Sequence, residues 1–270
     1  MNELNSSMVA SRLMELAPDL MTRSATIALK HYGNLGEVIT KDDNSPLTMA
    51  DLEVNALLCD VLEKEFPSIP VVTEERAESH DLDAGSGMFF LVDPIDGTKE
   101  FINKRDEFTV NVALIENRSP VAGIVGAPAL GVYYLGIVGE VAQRVALDTG
   151  EVTPISVGEP EGDGLMVVAS RSHLTPETQA FIDANPVAGT RNAGSSLKFC
   201  LLAAGEADVY PRYGPTMEWD TAAGHAVLLA AGGEVINLDG SPLEYAKKDF
   251  RNPFFIAASP HAHYVIPENA

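Results

Sequence analysis

Apolar residues that recur every three or four positions predict two helices near the start of the chain. The first spans 11–32, and we expect it to be broken or restarted at Pro18, because proline lacks the N–H group that an inner helical turn uses. The second opens at Thr48 and is closed by Pro67. Its apolar side chains follow one helical face: Val54, Leu57, Leu58, Val61 and Leu62.

Short apolar runs between polar turns predict strands through the rest of the first half. The run at 88–92 is wholly apolar, which is typical of a central strand that is buried on both faces. Further strands are predicted at 69–73, 108–115, 121–127 and 132–138. This half of the chain is therefore rich in strands behind two leading helices.

A change of composition at 156–164, with three glycines, two glutamates and a proline, predicts a domain boundary. We assign residues 1–157 to an N-terminal α+β domain and 158–270 to a C-terminal α/β domain. The second half has predicted helices at 176–183, 195–204 and 220–231, and strands at 165–169, 207–210, 235–237 and 254–258. This mixture predicts a layered α/β (α+β) sandwich.

The charge balance limits the function classes. Of 270 residues, 39 are Asp or Glu and 18 are Lys or Arg, which gives a net charge of −21. Such a surface repels a nucleic-acid backbone, so we expect no nucleic-acid polymer as partner. A small phosphate ester stays possible, because a divalent cation can join it to carboxylates. No window approaches 18 uninterrupted apolar residues, and 1–7 show no secretory signal, so neither a membrane span nor a signal peptide is expected.

The two cysteines, Cys59 and Cys200, both lie in apolar stretches. We expect two buried, free thiols and no disulfide framework. Few cysteines are compatible with a reducing cytoplasm.

Two carboxylates placed three residues apart, directly after the apolar run at 88–92, are the most informative feature. They are Asp93 and Asp96 in the string D-P-I-D-G-T at 93–98. The proline stiffens the turn, so both carboxylates can point to one side, and Gly97 allows close backbone approach. An ordinary Asx turn explains one aspartate beside a glycine, but not both aspartates with the proline and the threonine.

Other acidic residues have two possible roles each. Glu74 and Glu75 follow a predicted strand, and taken alone they are simply a solvated turn. Asp51 fits a capping box with Thr48, and Asp220 fits a helix N-cap. Strand ends and helix starts in layered sheets commonly share one edge. Carboxylates gathered there would repel one another unless a cation lay between them.

The strings L-V-D-P-I-D-G-T-K-E-F at 91–101 and W-D-T-A-A-G at 219–224 resemble the two signatures of the inositol monophosphatase superfamily. These proteins are magnesium-dependent, lithium-sensitive phosphatases, and the resemblance covers essentially the whole chain. It implies a five-layer αβαβα sandwich. The strings K-E-F at 99–101, S-R-S-H at 170–173, G-S-S-L-K-F-C at 194–200 and Y-P-R at 210–212 resemble the 3'(2'),5'-bisphosphate nucleotidases of the CysQ type.

The resemblance implies a site for two or three Mg²⁺ ions. Glu74, Asp93 and the backbone carbonyl of Ile95 would bind the first ion. Asp93, Asp96 and Asp220 would bind the second, and Glu75 would hold a water of a third. The resemblance also implies a catalytic set that orients and deprotonates the attacking water: Asp51, Thr98 and Glu74. Ligands made only of oxygen favour Mg²⁺ over zinc.

The resemblance further implies two groups of substrate contacts. The scissile phosphate would meet the metal-site residues and the backbone amides that follow β-strand 88–92: Glu74, Ile95, Asp96, Gly97, Thr98 and Asp220. The nucleotide's second phosphate would meet four residues of the second domain: His173, Ser195, Lys198 and Arg212. Lysine and arginine suit the charge and geometry of phosphate.

The expected reaction is hydrolysis of the 3'-phosphate of adenosine 3',5'-bisphosphate to AMP, with the related sulfated nucleotide as a second substrate. The alternative is a phosphatase of inositol or sugar phosphates with the same metal site. A non-catalytic cation-binding protein is the third possibility, and it would not need the pair Asp51 and Thr98. We expect a cytoplasmic enzyme. Peripheral association with the inner membrane follows from the resemblance alone, and the oligomeric state is left open.

Overall fold

Layers of helix and sheet alternate through the computed structural model, which describes residues 5–34, 38–40, 46–81, 87–162, 164–169 and 175–267. Within these residues, the helices are α1 (Ser6–Tyr32), α2 (Met49–Glu65), α3 (Thr98–Ile102), α4 (Pro176–Ala184), α5 (Leu197–Ala203) and α6 (Ala222–Ala230). The strands of the first half are β1 (Ile39–Thr40), β2 (Pro46–Leu47), β3 (Val71–Thr73), β4 (Met88–Asp96), β5 (Thr109–Glu116), β6 (Ser119–Ala127), β7 (Val132–Ile137), β8 (Val141–Ala146) and β9 (Val152–Pro154). Those of the second half are β10 (Leu165–Ala169), β11 (Val187–Asn192), β12 (Val209–Arg212), β13 (Glu234–Asn237) and β14 (Phe255–Ala258), and 3₁₀ turns lie at Ala77–Asp81 and Pro128–Leu130.

The larger sheet has seven described strands in the order β3-β4-β5-β6-β7-β8-β9. Strand β3 is parallel to β4, and every other pair in this sheet is antiparallel. Side chains alternate across β4, because successive residues of a strand point to opposite faces. Phe90 and Val92 pack with α1 and α2, whereas Phe89 and Leu91 pack with α5 and α6. The wholly apolar run is therefore a central strand buried on both faces, as predicted.

The smaller sheet has five described strands in the order β11-β10-β12-β14-β13. Its inner face, with Tyr210 and Phe255, packs on α5 and α6, which lie between the two sheets. Its outer face, with Val167 and Val209, packs on Phe181 of α4. The layers run α1/α2, large sheet, α5/α6, small sheet, α4. The predicted five-layer αβαβα sandwich is confirmed.

Helix α6 lies directly against the large sheet because two glycines leave no side chain between them. A Cβ added to Gly123 of β6 would lie 2.4 Å from the carbonyl oxygen of Ala223. One added to Gly136 of β7 would lie 2.8 Å from Cβ of Ala230. This contact fixes the position of α6, and with it the turn at Asp220 that leads into the helix.

The predicted break at Pro18 is wrong. Helix α1 runs without interruption from Ser6 to Tyr32 and includes Pro18. An interior proline costs a helix about 3 kcal/mol. Apolar burial on the sheet-facing side of α1 offsets this cost through four side chains: Leu13, Ala17, Leu20 and Met21.

Five of the described strands were not predicted: β1, β2, β8, β9 and β11. All of β9 is exposed, and so is most of β11, because both lie at sheet edges. An edge strand without buried side chains gives no hydrophobic pattern to detect. The stretch 156–164 connects β9 in one sheet with β10 in the other, and the division at 157/158 stays a prediction.

The two cysteines agree with expectation. Cys59 and Cys200 are free and buried, and burial raises the pKa of both thiols. Within the described ranges, no helix has the length and apolar character needed to cross a bilayer.

Candidate active site

The acidic site begins where β3 and β4 end, at the same edge of the large sheet. Glu74 directly follows β3, and its N–H donates to the carbonyl of Val92 at 3.2 Å. Asp93 is buried, and its Oδ1 accepts the N–H of Ile95 at 3.1 Å, which fixes the turn. Parallel pairing of β3 with β4 therefore brings Glu74 beside Asp93.

Gly97 joins this edge to the second half of the chain. Its φ is +86°, in the left-handed region, and an added Cβ would lie 2.2 Å from Oγ of Ser195. The Ser195 hydroxyl donates to the carbonyl of Asp96 at 2.8 Å. Only glycine allows the loop before α5 to pack this closely on the start of α3.

A network of hydrogen bonds holds the carboxylate of Asp96. Its Oδ2 accepts the backbone N–H of Ser196 at 2.6 Å, the hydroxyl of Thr109 at 3.3 Å and the side-chain amide of Asn111 at 3.5 Å. Sequence analysis missed these three residues. The available signal was the presence of Thr109 and Asn111 on the inward face of β5, which is otherwise apolar.

Asp220 lies in a tight turn before α6. Its Oδ2 accepts the N–H of Met217 at 2.8 Å, and its carbonyl accepts the hydroxyl of Ser196 at 2.5 Å. The N-cap of α6 is Thr221, so Asp220 is not the cap. The helix starts two residues later than predicted because this turn uses the Asp220 side chain locally.

The carboxylates at this edge influence one another strongly. Burial, followed by the charge of Glu74, raises the pKa of Asp93, and further negative charge comes from Asp96, Asp220 and Glu75. Burial and the charges of Asp96 and Glu74 likewise raise the pKa of Asp220. Burial also raises the pKa of Asp96, although the Lys198 cation opposes it. A cation placed among these groups would relieve their repulsion.

The carboxylate of Asp51 contacts two different parts of the chain. Its Oδ2 accepts the N–H of Thr48 at 2.8 Å, which completes the capping box of α2. Its Oδ1 lies 3.4 Å from the hydroxyl of Thr98, which is also 3.2 Å from the carbonyl of Ile95. The two oxygens of one carboxylate therefore hold a helix start and reach a hydroxyl at the acidic edge.

A cavity of about 230 Å³ opens on this edge. Four residues of the acidic site line it: Asp96, Gly97, Thr98 and Asp220. Its lining also includes Ser195, Lys198, Tyr210 and Arg212. The structure thus brings three of the four residues proposed for the second phosphate into the same cavity, whereas His173 lies outside the described residues. Glu100, Tyr210 and Thr216 also line this cavity and were not predicted as site residues.

Lys198 carries its charge in an almost fully buried position, because only 5% of the residue is exposed. Its ammonium donates to the carbonyl of Ser195 at 2.7 Å and lies 5.3 Å from the ring centre of Tyr210. Burial lowers the pKa of Lys198 to about 8. A buried ammonium group is costly unless an anion compensates its charge.

Arg212 donates two hydrogen bonds to the loop that follows β12. Its Nε donates to the carbonyl of Gly214 at 3.2 Å, and its Nη2 donates to that of Pro215 at 2.8 Å. A guanidinium has five N–H donors. Arg212 lines the same cavity as Lys198, and its charge opposes the rise in the pKa of Tyr210.

The donor set fits Mg²⁺. Every candidate ligand is a carboxylate or a backbone carbonyl, and Mg²⁺ prefers oxygen. Among the described residues, no three acidic, histidine or cysteine side chains converge closely enough to hold one ion. Mg²⁺ usually takes one or two carboxylates and completes its shell with water and substrate phosphate. Carboxylates arranged around an open cavity therefore suit Mg²⁺ better than a metal that takes all of its ligands from the protein.

This architecture and this acidic edge define a known class of phosphatases. Residues 8–266 match the model of the inositol monophosphatase family, and the chain belongs to this family. It is 42% identical over 220 residues to the 3'(2'),5'-bisphosphate nucleotidase CysQ of Escherichia coli strain K12, covering 81% of this chain and 87% of that relative. It is 32% identical to the corresponding protein of Haemophilus influenzae, covering 83% and 84%.

Solved structures agree with this assignment. CysQ from Bacteroides thetaiotaomicron, a bacterial member of the inositol monophosphatase family, is 37% identical with a TM-score of 0.80, covering 94% of this chain and 98% of that one. Thermotoga maritima IMPase is 24% identical with a TM-score of 0.73, covering 93% of each chain, which supports the fold alone. The family resemblance predicted from the sequence is confirmed.

Proposed function

We propose that this chain is a Mg²⁺-dependent phosphatase that removes the 3'-phosphate of adenosine 3',5'-bisphosphate and produces AMP and phosphate. The observation that carries the proposal is one cavity whose lining includes both the carboxylates of Asp96 and Asp220 and the buried ammonium of Lys198. A substrate with two phosphates would meet the acidic edge with one phosphate and the cations with the other. The 42% identity to a bisphosphate nucleotidase over most of the chain supports the same substrate class.

We assign the metal ligands on the basis of the resemblance and the edge geometry. Glu74, Asp93 and the carbonyl of Ile95 would hold one Mg²⁺. Asp93, Asp96 and Asp220 would hold a second, and its binding would have to draw these three carboxylates closer together than they lie in the structure. Glu75 would hold a water of a third ion. When bound, these ions would polarise the phosphoryl group and lower the pKa of the attacking water.

The protein's own contribution to hydrolysis is proton transfer and orientation. The attacking water would pass a proton to Oγ1 of Thr98 as the hydroxyl proton of Thr98 moves to Asp51, whose Oδ1 is 3.4 Å away. Glu74 would orient this water from the end of the neighbouring strand β3. The P–O bond to the 3'-oxygen breaks, and that oxygen takes up a proton from solvent. Backbone N–H groups of Gly97 and Thr98 would face the phosphoryl oxygens.

The cations that line the cavity would bind the 5'-phosphate. Lys198 and Arg212 carry the positive charge, and Ser195 joins Lys198 to the acidic edge, because its carbonyl accepts from the Lys198 ammonium and its hydroxyl donates to the carbonyl of Asp96. His173 remains in this set as a prediction from the resemblance. The sulfated relative of the substrate carries the same 3'-phosphate and is included in the proposal.

An inositol or sugar phosphatase is the second candidate, because it would use the same acidic edge. The substrate of such a phosphatase has no second phosphate for Lys198 to bind, which is why we rank this candidate lower. We place the reaction in the cytoplasm, since the two free, buried thiols are compatible with a reducing compartment.

Three substrates separate these candidates: adenosine 3',5'-bisphosphate, adenosine 3'-monophosphate and inositol 1-phosphate. We expect kcat/KM for the bisphosphate to exceed that for the monophosphate at least tenfold, because only the bisphosphate reaches Lys198. Inositol phosphate should be poorer still, and chelation of Mg²⁺ should abolish all three activities. Equal rates on inositol phosphate and on the bisphosphate would contradict the proposed substrate.

A further inference from the structure

His80 connects the two segments that carry Glu74 and Asp220. Its Nε2–H donates to the carbonyl of Thr73 at 2.8 Å. Its ring stacks on the indole of Trp219, with centroids 4.8 Å apart and ring planes 23° apart. Thr73 directly precedes Glu74, and Trp219 directly precedes Asp220. We call this pair of contacts the His80 clasp.

The first end of the clasp is firmly built. The N–H of Thr73 donates to the hydroxyl of Ser79 at 3.1 Å, and the carbonyl of Thr73 accepts the N–H of Arg76 at 3.3 Å. The hydroxyl of Thr73 donates to the side chain of Asn55 at 2.6 Å. The 3₁₀ turn that bears His80 is therefore fixed to the strand end that bears Glu74.

The second end is equally constrained. Trp219 is buried and packs on Phe250, with centroids 5.9 Å apart. The preceding residue, Glu218, is fully buried, and its carboxylate accepts the N–H groups of Ala246 and Lys247 at 2.8 and 2.9 Å. Lys247 also places its ammonium 2.7 Å from this carboxylate. The Trp219 ring therefore has little freedom to shift if the ring of His80 moves.

We propose that His80 is a positioning residue that sets the spacing of Glu74 and Asp220 and thereby the affinity of the site for Mg²⁺. The inference rests on the metal site of the proposed function. It concerns packing and a hydrogen bond, and His80 itself is not a ligand. Groups that orient metal ligands from behind typically change metal affinity about 10–100-fold when they are removed.

The test is Mg²⁺ binding to the whole protein without substrate, measured by isothermal titration calorimetry. We expect His80→Ala to weaken binding about tenfold, because it loses both contacts. His80→Phe keeps the stack and His80→Gln keeps a donor near Thr73, so each should restore part of the affinity. Fluorescence of Trp219, the only tryptophan in the chain, reports independently whether the stack is lost.

A double-mutant cycle with Trp219→Leu tests whether His80 acts through the stack. If it does, the double variant binds Mg²⁺ little more weakly than the worse single variant. The matched control is His261→Ala, which removes an exposed histidine far along the chain and should leave Mg²⁺ affinity unchanged.

Wild-type Mg²⁺ affinity in His80→Ala, together with altered Trp219 fluorescence, would overturn the inference. Strictly additive losses in the double-mutant cycle would also overturn the role of the stack. These results are distinct from a failure of the proposed substrate, because the titrations contain no substrate. They are distinct from failure of the metal site, which would appear as absent Mg²⁺ binding in the wild-type protein.

Discussion

The backbone N–H of Ser196 donates to Oδ2 of Asp96 at 2.6 Å, although the two residues are 100 positions apart. The hydroxyl of Ser196 donates to the carbonyl of Asp220 at 2.5 Å. One residue at the start of α5 therefore connects the end of β4 with the turn before α6. The relative position of two proposed metal ligands depends on this connection, and on Gly97, which lets the loop approach.

Replacement of Asp93 tests the metal site directly. Asp93→Asn should abolish turnover and Mg²⁺ binding, because it removes the carboxylate that both ions would share. The metal-free variant should be at least as stable as metal-free wild type, since the substitution removes a charge that its neighbours repel. Thermal unfolding with and without Mg²⁺ checks this.

Mg²⁺ should stabilise the wild-type protein and Asp93→Asn to different, measurable extents. At 100 times its dissociation constant, Mg²⁺ should stabilise the wild-type protein by about 2.7 kcal/mol. The same concentration should leave Asp93→Asn nearly unchanged. Undiminished turnover of this variant would exclude the two-metal assignment.

Replacement of Thr98 tests proton transfer. Thr98→Val keeps the shape of the side chain but removes the hydroxyl that lies 3.4 Å from Asp51. We expect kcat to fall about 10²–10⁴-fold with Mg²⁺ binding retained, which is the usual contribution of positioned proton transfer. Thr98→Ser is the matched control and should keep most of the activity. A loss of stability with kcat unchanged would instead assign Thr98 a structural role.

How much of this site could be predicted depends on whether a residue's role is local. The D-P-I-D-G-T string and the pair Glu74 and Glu75 follow strand ends, so their shared edge follows from the order of elements. The capping box of Asp51 is also local, and it is present as predicted. Its second contact, to Thr98, bridges 47 positions and entered only through the family resemblance.

The residues that sequence analysis missed act across layers. Asn111 projects from the large sheet toward α5, and its amide donates to Oγ of Ser196 at 3.1 Å. His80 and Trp219 are brought together by the packing of a 3₁₀ turn against a turn of the other half. Neither pairing leaves a local pattern. Pro18 illustrates the same limit of prediction, because helix propensity does not account for the apolar burial that keeps α1 continuous.

Replacement of Lys198 tests substrate selection, although the ammonium also opposes the rise in the pKa of Asp96 at the acidic edge. Lys198→Met retains an apolar side chain of similar length in the buried position. We expect kcat/KM for adenosine 3',5'-bisphosphate to fall about tenfold to a hundredfold, which corresponds to the loss of one charged hydrogen bond. Adenosine 3'-monophosphate should be nearly unaffected. Equal losses on both substrates would show that Lys198 supports the fold or the metal site.

The pH dependence of binding follows from the same side chain. Because the pKa of Lys198 is lowered to about 8, the free enzyme loses this positive charge as pH rises through that value. We expect kcat/KM for the bisphosphate to fall progressively above about pH 8, relative to that for the monophosphate measured at each pH. In Lys198→Met this ratio should be independent of pH. A flat ratio in the wild-type protein would contradict the assignment.

The buried histidine of α6 should lower the stability of the folded protein in acid. His225 is 3% exposed, and its Nδ1 lies 2.9 Å from the hydroxyl of Tyr245. Burial, assisted by the charge of Lys247, lowers the pKa of His225 to about 3. In the unfolded chain the pKa is about 6.5. Between these values the unfolded state binds one more proton than the folded state, so stability falls as pH decreases through this window.

The loss should approach about 1.4 kcal/mol per pH unit, or about 2 kcal/mol between pH 7.5 and pH 5. His225→Gln should be less stable than wild type at pH 7.5, because it loses packing and the contact with Tyr245. At pH 5 the gap should narrow by about 2 kcal/mol, since glutamine does not titrate. Urea unfolding of both proteins in Mg²⁺ at the two pH values measures this difference, and contributions of the carboxylates cancel between them. His261→Gln, at an exposed position, is the control. A gap that stays constant from pH 7.5 to pH 5 would show that folding does not lower the pKa of His225.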